Sequence, residues 1–330
     1  MTKSKKNYDS PLQATLTGIA GLFKKQPRIG YLGADERLDG KRVMITGSSS
    51  GLGLAVAKQI AALGAEVIMA VRSGIPEKGK EVQKASGSSQ IKMLYVDLAD
   101  FTSIKQLTEH LKKDVGAIDI LICNAAIVVG QARQTKDGLD EMFMVNYVSK
   151  FVLVTQLMAQ NCFRKNQTYV PRIIFVSSES HRNPAAFEWD SFGQFTPHAM
   201  SKTVERYGYY KLLLTTFAQE LGRRLNSDGQ RNFSIFSLCP GPVNSNIARE
   251  APKWVQPPMK LVFKLFFNSP DKAAEPVVYL AASKSLEGKP SEYLFLMSRK
   301  DVDEKASDSK NGLKLWDMTE ALIRKVDETL

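Results

Sequence analysis

Tyr207 and Lys211 stand four residues apart in "YGYYK", within a stretch from Ser201 to Leu225 that lacks proline and repeats its apolar residues at helical spacing. Positions i and i+4 share a helix face, so the lysine stands beside Tyr207, whereas Tyr209 points nearly the opposite way and Tyr210 projects to one side. A phenol exchanges a proton during turnover only when its pKa is brought down from about 10, and a neighbouring ammonium does that. If a tyrosine of this helix is activated, it is Tyr207. The spacing alone leaves a second reading open, an amphipathic helix whose tyrosines simply pack.

A second candidate stretch is "TGSSSGLG", Thr46 to Gly53, between the apolar run "RVMIT" and the helical "LAVAKQIAAL". Gly47, Gly51 and Gly53 let the backbone turn sharply and approach a pyrophosphate, with Ser49, Ser50 and Leu52 in the same turn. The helix that follows offers unpaired N–H groups and a favourable dipole.

These residues need elements to hold them. "RVMIT", "AEVIMAVR", "IKMLYVDL", "IDILICNAA", "RIIFVSS" and "FSIFSLCPG" alternate with stretches long enough for crossover helices. The runs are apolar throughout, as expected of strands covered on both faces. The pattern predicts an α/β fold: a Rossmann-type doubly wound parallel sheet flanked by helices, in a single domain. In such a sheet the ligand lies across the carboxyl ends of the strands.

With 330 residues and 43% hydrophobic content, the chain has enough apolar surface for a large core. Cys123, Cys162 and Cys239 are widely separated and lack the paired spacing of metal sites, which suggests reduced thiols in an intracellular, cytoplasmic protein and no metal. No apolar run approaches the ~20 residues of a membrane span, and the start "MTKSKKNYDS" is not a signal peptide. The net charge of +11 is uneven: residues 1–42 hold nine Lys or Arg against four Asp or Glu. Within the extension 1–38, "SPLQATLTGIAGLFKK" reads as a short amphipathic helix, docked on the body or lying on a membrane surface. Nucleic acid is a poor partner, because the basic residues are not interleaved with aromatics. A homodimer is a further expectation.

The glycine spacing G-x-x-x-G-x-G, taken with Tyr207 and Lys211, resembles the short-chain dehydrogenase/reductases, and within them the retinol dehydrogenase-like and protochlorophyllide reductase-like branch. The resemblance runs from about Lys41 to Trp316 and takes in, in the family's order, "TGSSSGLG", "VDLAD", "CNAA", "DGLDEMFMVNY", "VSS", "YGYYK" and "CPGPVNS". It implies that residues 39–330 form the catalytic domain, with Asn146, Ser178, Tyr207 and Lys211 as its catalytic residues. Tyr207 would pass the proton, Ser178 would hydrogen-bond the substrate oxygen, and Lys211 would lower the phenol's pKa and reach the ribose. Asn146 would hold a water leading to solvent. Ser178 is preferred to Ser177 because neighbours on an extended strand end face opposite ways.

For the cofactor, the resemblance implies Asp97 and Leu98 at the adenine and Asn124, Ala125 and Ala126 in the next turn, where alanine replaces the usual final glycine. Pro240, Gly241 and the backbone of Val243 would meet the carboxamide side, with Ser245 near the pyrophosphate. At the end of strand two, Val71 stands where an acidic residue would select a free 2′-hydroxyl, and Arg72 follows with a guanidinium suited to a phosphate. NADP(H) is favoured over NAD(H).

Two segments, 179–200 and 247–268, fall where the family covers its substrate. The first carries Phe187, Trp189, Phe192, Phe195 and Met200, and the second is apolar with interspersed lysines. They point to a bulky lipophilic alcohol or carbonyl compound, retinoid-, steroid- or lipid-like; the other reading is that the aromatics anchor an insertion. His181 is a candidate polar group in the substrate pocket. Two alternatives accompany the carbonyl–alcohol oxidoreductase: a protochlorophyllide reductase-like C=C reductase, and a catalytically idle nucleotide-binding module.

Overall fold

A computed structural model of the chain describes residues 27–164, 169–227, 229, 231–243 and 268–326. Eight strands form one sheet: β1 Arg42–Thr46, β2 Glu66–Val71, β3 Ile91–Tyr95, β4 Ile120–Cys123, β5 Arg172–Val176, β6 Ser234–Cys239, β7 Ser291–Phe295 and β8 Ser298–Arg299. Their order is β3-β2-β1-β4-β5-β6-β7-β8, parallel except for β8, which runs antiparallel to β7. The order reverses between β1 and β4, and there the crevice opens. The hairpin β7–β8 was not among the expected strands.

Each strand divides its residues between two apolar layers. Val43 and Ile45, Val67 and Met69, Ile120 and Ile122 point into one; Met44, Ile68, Leu121 and Cys123 point into the other. This is why the runs show no polar alternation: both faces are dry. One layer is closed by α1 (Gly51–Ala62) and α6 (Pro270–Ala282), which pack on each other. Helix α2 (Glu77–Ser86) lies against α1 and β3. The other layer is closed by α3 (Phe101–His110), α4 (Glu141–Ala159) and α5 (Thr203–Leu225). A C-terminal helix, α7 (Ser309–Val326), docks on this second layer. Its Trp316 ring lies 4.9 Å from that of Phe151, and Thr319 hydrogen-bonds the Tyr147 hydroxyl at 2.6 Å.

The structure corrects one expectation. The extension does not end at residue 38, because Leu38 is buried and Ile29 donates its N–H to Met297 O at 2.6 Å. The Glu36 carboxylate accepts from Ser283 Oγ and Lys284 N at 2.8 and 2.7 Å. Residues 29–38 therefore belong to the domain, and the expected amphipathic helix lies outside the described residues. Helix α4 is long and apolar enough to cross a membrane, yet 83% of its apolar window is buried inside the protein. It is a core helix that covers the sheet.

Candidate active site

The carboxyl ends of β1 to β7 and residues of α1, α4 and α5 meet at one cavity of about 600 Å³, within the usual range for ligand sites. Its floor is the turn from β1 into α1. Gly47 has φ +67°, and a Cβ there would lie 2.8 Å from Ala125. At Gly53 a Cβ would come within 2.4 Å of both the Gly47 carbonyl oxygen and Asn124 Nδ2. Glycine is required at both positions so that two backbone segments can touch. Asn124 ties them by donating from Nδ2 to the Thr46 and Gly47 carbonyls at 3.0 and 3.1 Å. Ser50 precedes α1 in extended conformation without a side-chain cap bond, and the first turn carries no acidic residue. The N–H groups of that turn are thus left for an anion, as a pyrophosphate cradle needs.

Gly47, Ser49, Ser50, Gly51, Leu52, Gly53, Arg72, Asp97, Leu98, Asn124, Ala125, Ala126, Pro240, Gly241 and Val243 all line this cavity, together with Ser178, Tyr207 and Lys211. Ser245 lies outside the described residues. Ala126 keeps ordinary negative-φ backbone, so the missing glycine puts no strain on the turn. Arg72 Nη1 lies 3.6 Å from Asp97 Oδ2, with the arginine side chain about half exposed.

The three tyrosines of α5 are separated by their hydroxyls. Tyr209 accepts from Glu188 N at 3.1 Å, and Tyr210 lies beside Asp140 on a separate small cavity. Among the described residues nothing engages the hydroxyl of Tyr207, which is only half-buried and faces the cavity. Lys211 Nζ sits 5.5 Å from the centre of the Tyr207 ring and donates to Val176 O at 2.8 Å. Burial lowers the Lys211 pKa to about 8. Burial, with Cys239 nearby, also pushes the Tyr207 phenol well above its usual value. In the protein's own environment desolvation thus governs the phenol, and the expected lowering does not result. Exposure of the ring to the cavity moderates that upward push.

Ser178 and Ser177 part as their strand positions require. Ser177 turns inward to Thr215 Oγ1 at 2.7 Å, whereas Ser178 Oγ accepts from Ser180 N at 3.2 Å and keeps its own proton for another acceptor. Asn146 is fully buried in a π-turn, Met144–Val148, inside α4, and its amide exchanges two 2.9 Å hydrogen bonds with the backbone of Ile127. It does not line the cavity; it fixes the loop after β4.

The insertion's aromatics serve as anchors. Phe187 and Trp189 stack at 4.4 Å, with Lys314 of α7 over the indole, and Phe192 meets the edge of Phe143. None of Phe187, Trp189, Phe192, Phe195 or Met200 lines the cavity; Glu179, Ser180 and Asn183 of the same segment do. Glu141, Val145, Val204 and Phe295 also line it and were missed, since no local motif marks them. A second buried lysine, Lys150, donates to Val145 O; burial and the charge of Lys211 lower its pKa to about 7. Its place four residues after Asn146 was the available signal.

A doubly wound sheet with a glycine cradle at its switch point and a tyrosine–lysine pair on the cavity wall defines a dinucleotide-dependent oxidoreductase. Residues 41–189 match the short chain dehydrogenase family model. The chain is 30% identical to human retinol dehydrogenase 14 over 90% of its own length and 91% of the relative's. It is 28% identical to human polyprenol dehydrogenase, over 87% and 86%. A solved structure from Mycobacterium Paratuberculosis superposes with a TM-score of 0.66 at 25% identity, covering 87% of this chain and 95% of that one. The chain belongs to the short-chain dehydrogenase/reductase family, in its retinol dehydrogenase-like branch, and is an NAD(P)-dependent oxidoreductase.

Proposed function

We propose that this protein interconverts a carbonyl and an alcohol on a bulky lipophilic molecule, using NADP(H) in preference to NAD(H). The observation that carries the reading is Tyr207, whose hydroxyl is unengaged by described residues and which lines the 600 Å³ cavity, while Tyr209 and Tyr210 line a different one. The nicotinamide supplies or accepts the hydride. Tyr207 gives a proton to the substrate oxygen in reduction and takes it in oxidation, and Ser178 donates a hydrogen bond to that oxygen. Lys211 holds positive charge under the phenol and reaches toward the ribose. Asn146 acts through Ile127, keeping the loop after β4 in place. Two relatives bear the names of long isoprenoid alcohols, which agrees with a lipophilic substrate. A panel of lipophilic aldehydes and ketones assayed with NADPH and NADH tests the reading; turnover confined to small polar carbonyls, or equal use of both cofactors, contradicts it.

Arg72 is assigned to the 2′-phosphate. Its pairing with Asp97 at 3.6 Å is loose enough to leave guanidinium donors for a phosphate. Arg72→Ala should weaken NADPH binding by about 1.5–3 kcal/mol, the worth of a hydrogen bond to a charged group, and leave NADH nearly unchanged. Equal losses in a fluorescence titration of both cofactors would remove Arg72 from the phosphate site.

Peripheral contact with an anionic membrane is proposed as well, on the basic, apolar composition of residues 10–25 and 252–268. Cosedimentation with anionic vesicles should be strong at low salt and fall as salt rises. No cosedimentation at low salt rejects it.

A further inference from the structure

The turn after β5 that carries Ser178 is held from three sides. Ser178 caps it through Ser180 N, as described. Helix α5 lies beneath it, and Gly208 makes the room: a Cβ there would stand 2.9 Å from the Ser180 carbonyl oxygen. The third side is His181, which is fully buried and does not line the cavity. Its Nδ1 is 2.7 Å from the Ser178 carbonyl oxygen, and its Nε2 is 3.1 Å from the backbone nitrogen of Asp303.

These two partners fix the state of the ring. A carbonyl only accepts and a backbone N–H only donates, so both bonds form only in the neutral imidazole with its proton on Nδ1. The groups around it keep it neutral. Burial and the neighbouring Arg182 lower its pKa to about 4, against the smaller opposing pull of Glu179 and Asp303, and the Tyr293 ring meets it edge-on at 5.4 Å.

Asp303 follows β8, and the same segment grips the turn twice more. Lys300 pairs with Glu179, and Arg182 donates to the Asp301 carbonyl. The β7 residue Tyr293 adds a 2.8 Å bond from its hydroxyl to Glu179. The turn is therefore tied to a part of the chain more than a hundred residues away.

We propose that His181 is a positioning residue for the reaction: by bridging the Ser178 carbonyl to Asp303 it sets the direction of the Ser178 peptide, and with it the hydroxyl that meets the substrate oxygen. The inference rests on the assignment of Ser178 made above. Small displacements of such a group matter, since a misplacement of about 1 Å can cost about a hundredfold in rate.

The test compares His181→Asn, His181→Gln and Ser178→Ala in the full chain. An Asn amide reaches the place of Nδ1 and keeps the donor to Ser178, whereas the longer Gln amide reaches the place of Nε2 and keeps only the acceptor for Asp303. His181→Asn should hold kcat within about threefold of the original, and His181→Gln should lose about tenfold or more, with NADPH affinity unchanged in both. If both variants lose thermal stability but keep kcat per folded molecule, or lose kcat equally, the inference is overturned. Activity surviving in Ser178→Ala would instead remove the assignment of Ser178. Nitrogen-15 shifts of the histidine rings in the unmutated protein give a readout that does not depend on the variants folding: His181 should show a protonated Nδ1 and a bare Nε2 at neutral pH. The opposite tautomer or a charged ring overturns the proposal.

Discussion

Tyr207→Phe should cut turnover by about 10²–10⁴-fold, the contribution of a positioned general acid–base, while NADPH binds nearly as before. The phenyl ring fills the same wall of the cavity, and only the unengaged hydroxyl is lost. Tyr209→Phe and Tyr210→Phe are the controls. Both residues lie away from the 600 Å³ cavity, so each substitution should cost little rate, and loss of the Tyr209 hydroxyl, which accepts from Glu188 N, should cost about 1 kcal/mol of stability. Steady-state kinetics beside thermal melts separate the two kinds of loss. Retention of most activity by Tyr207→Phe would refute the mechanism. Because burial holds this phenol high, its protonated form prevails in the protein alone.

Gly53→Ala should abolish cofactor binding. The added methyl would stand 2.4 Å from the Gly47 carbonyl oxygen and 2.4 Å from Asn124 Nδ2, and neither is the loose end of a flexible side chain. Either α1 moves away from the turn or Asn124 releases the Thr46 and Gly47 carbonyls, and in both cases the cradle opens. Gly222→Ala on α5 is the matched control. Its methyl would meet Ile235 at an ordinary 3.8 Å, and replacing a mid-helix glycine should leave binding intact while adding roughly 0.5–1 kcal/mol of stability. A calorimetric titration of both variants with NADPH decides. Undiminished affinity in Gly53→Ala would mean that the anion does not sit on this turn.

Features set by neighbours in sequence were legible from the sequence. The 3.6-residue period put Lys211 beside Tyr207 and turned Tyr209 and Tyr210 away. Unbroken apolar runs marked six strands as buried on both faces, and the glycines between β1 and α1 marked the cradle. Strand ends were read too long, through Leu98 and Ala126, where β3 stops at Tyr95 and β4 at Cys123. Those apolar tails belong to the crevice loops, and composition does not separate a dry strand from a loop that lines a cavity.

What only the tertiary structure decided depends on contacts across long stretches of chain. Gly208 interrupts a helix that local propensity would fill with another residue; the Ser180 carbonyl packed against it is the reason for it. The amide of Asn146 is committed to Ile127 through a π-turn that no periodicity announces. Of the two readings open for the aromatics of 179–200, Phe187, Trp189 and Phe192 fit the anchoring one, because the C-terminal helix folds back over the second layer and they pack there. His181 finds its second partner at Asp303, across the hairpin β7–β8. Hydrophobic period and turn chemistry act within a few residues, whereas the partner of a buried polar group is chosen by which distant segment the closed sheet brings within 3 Å or so of it.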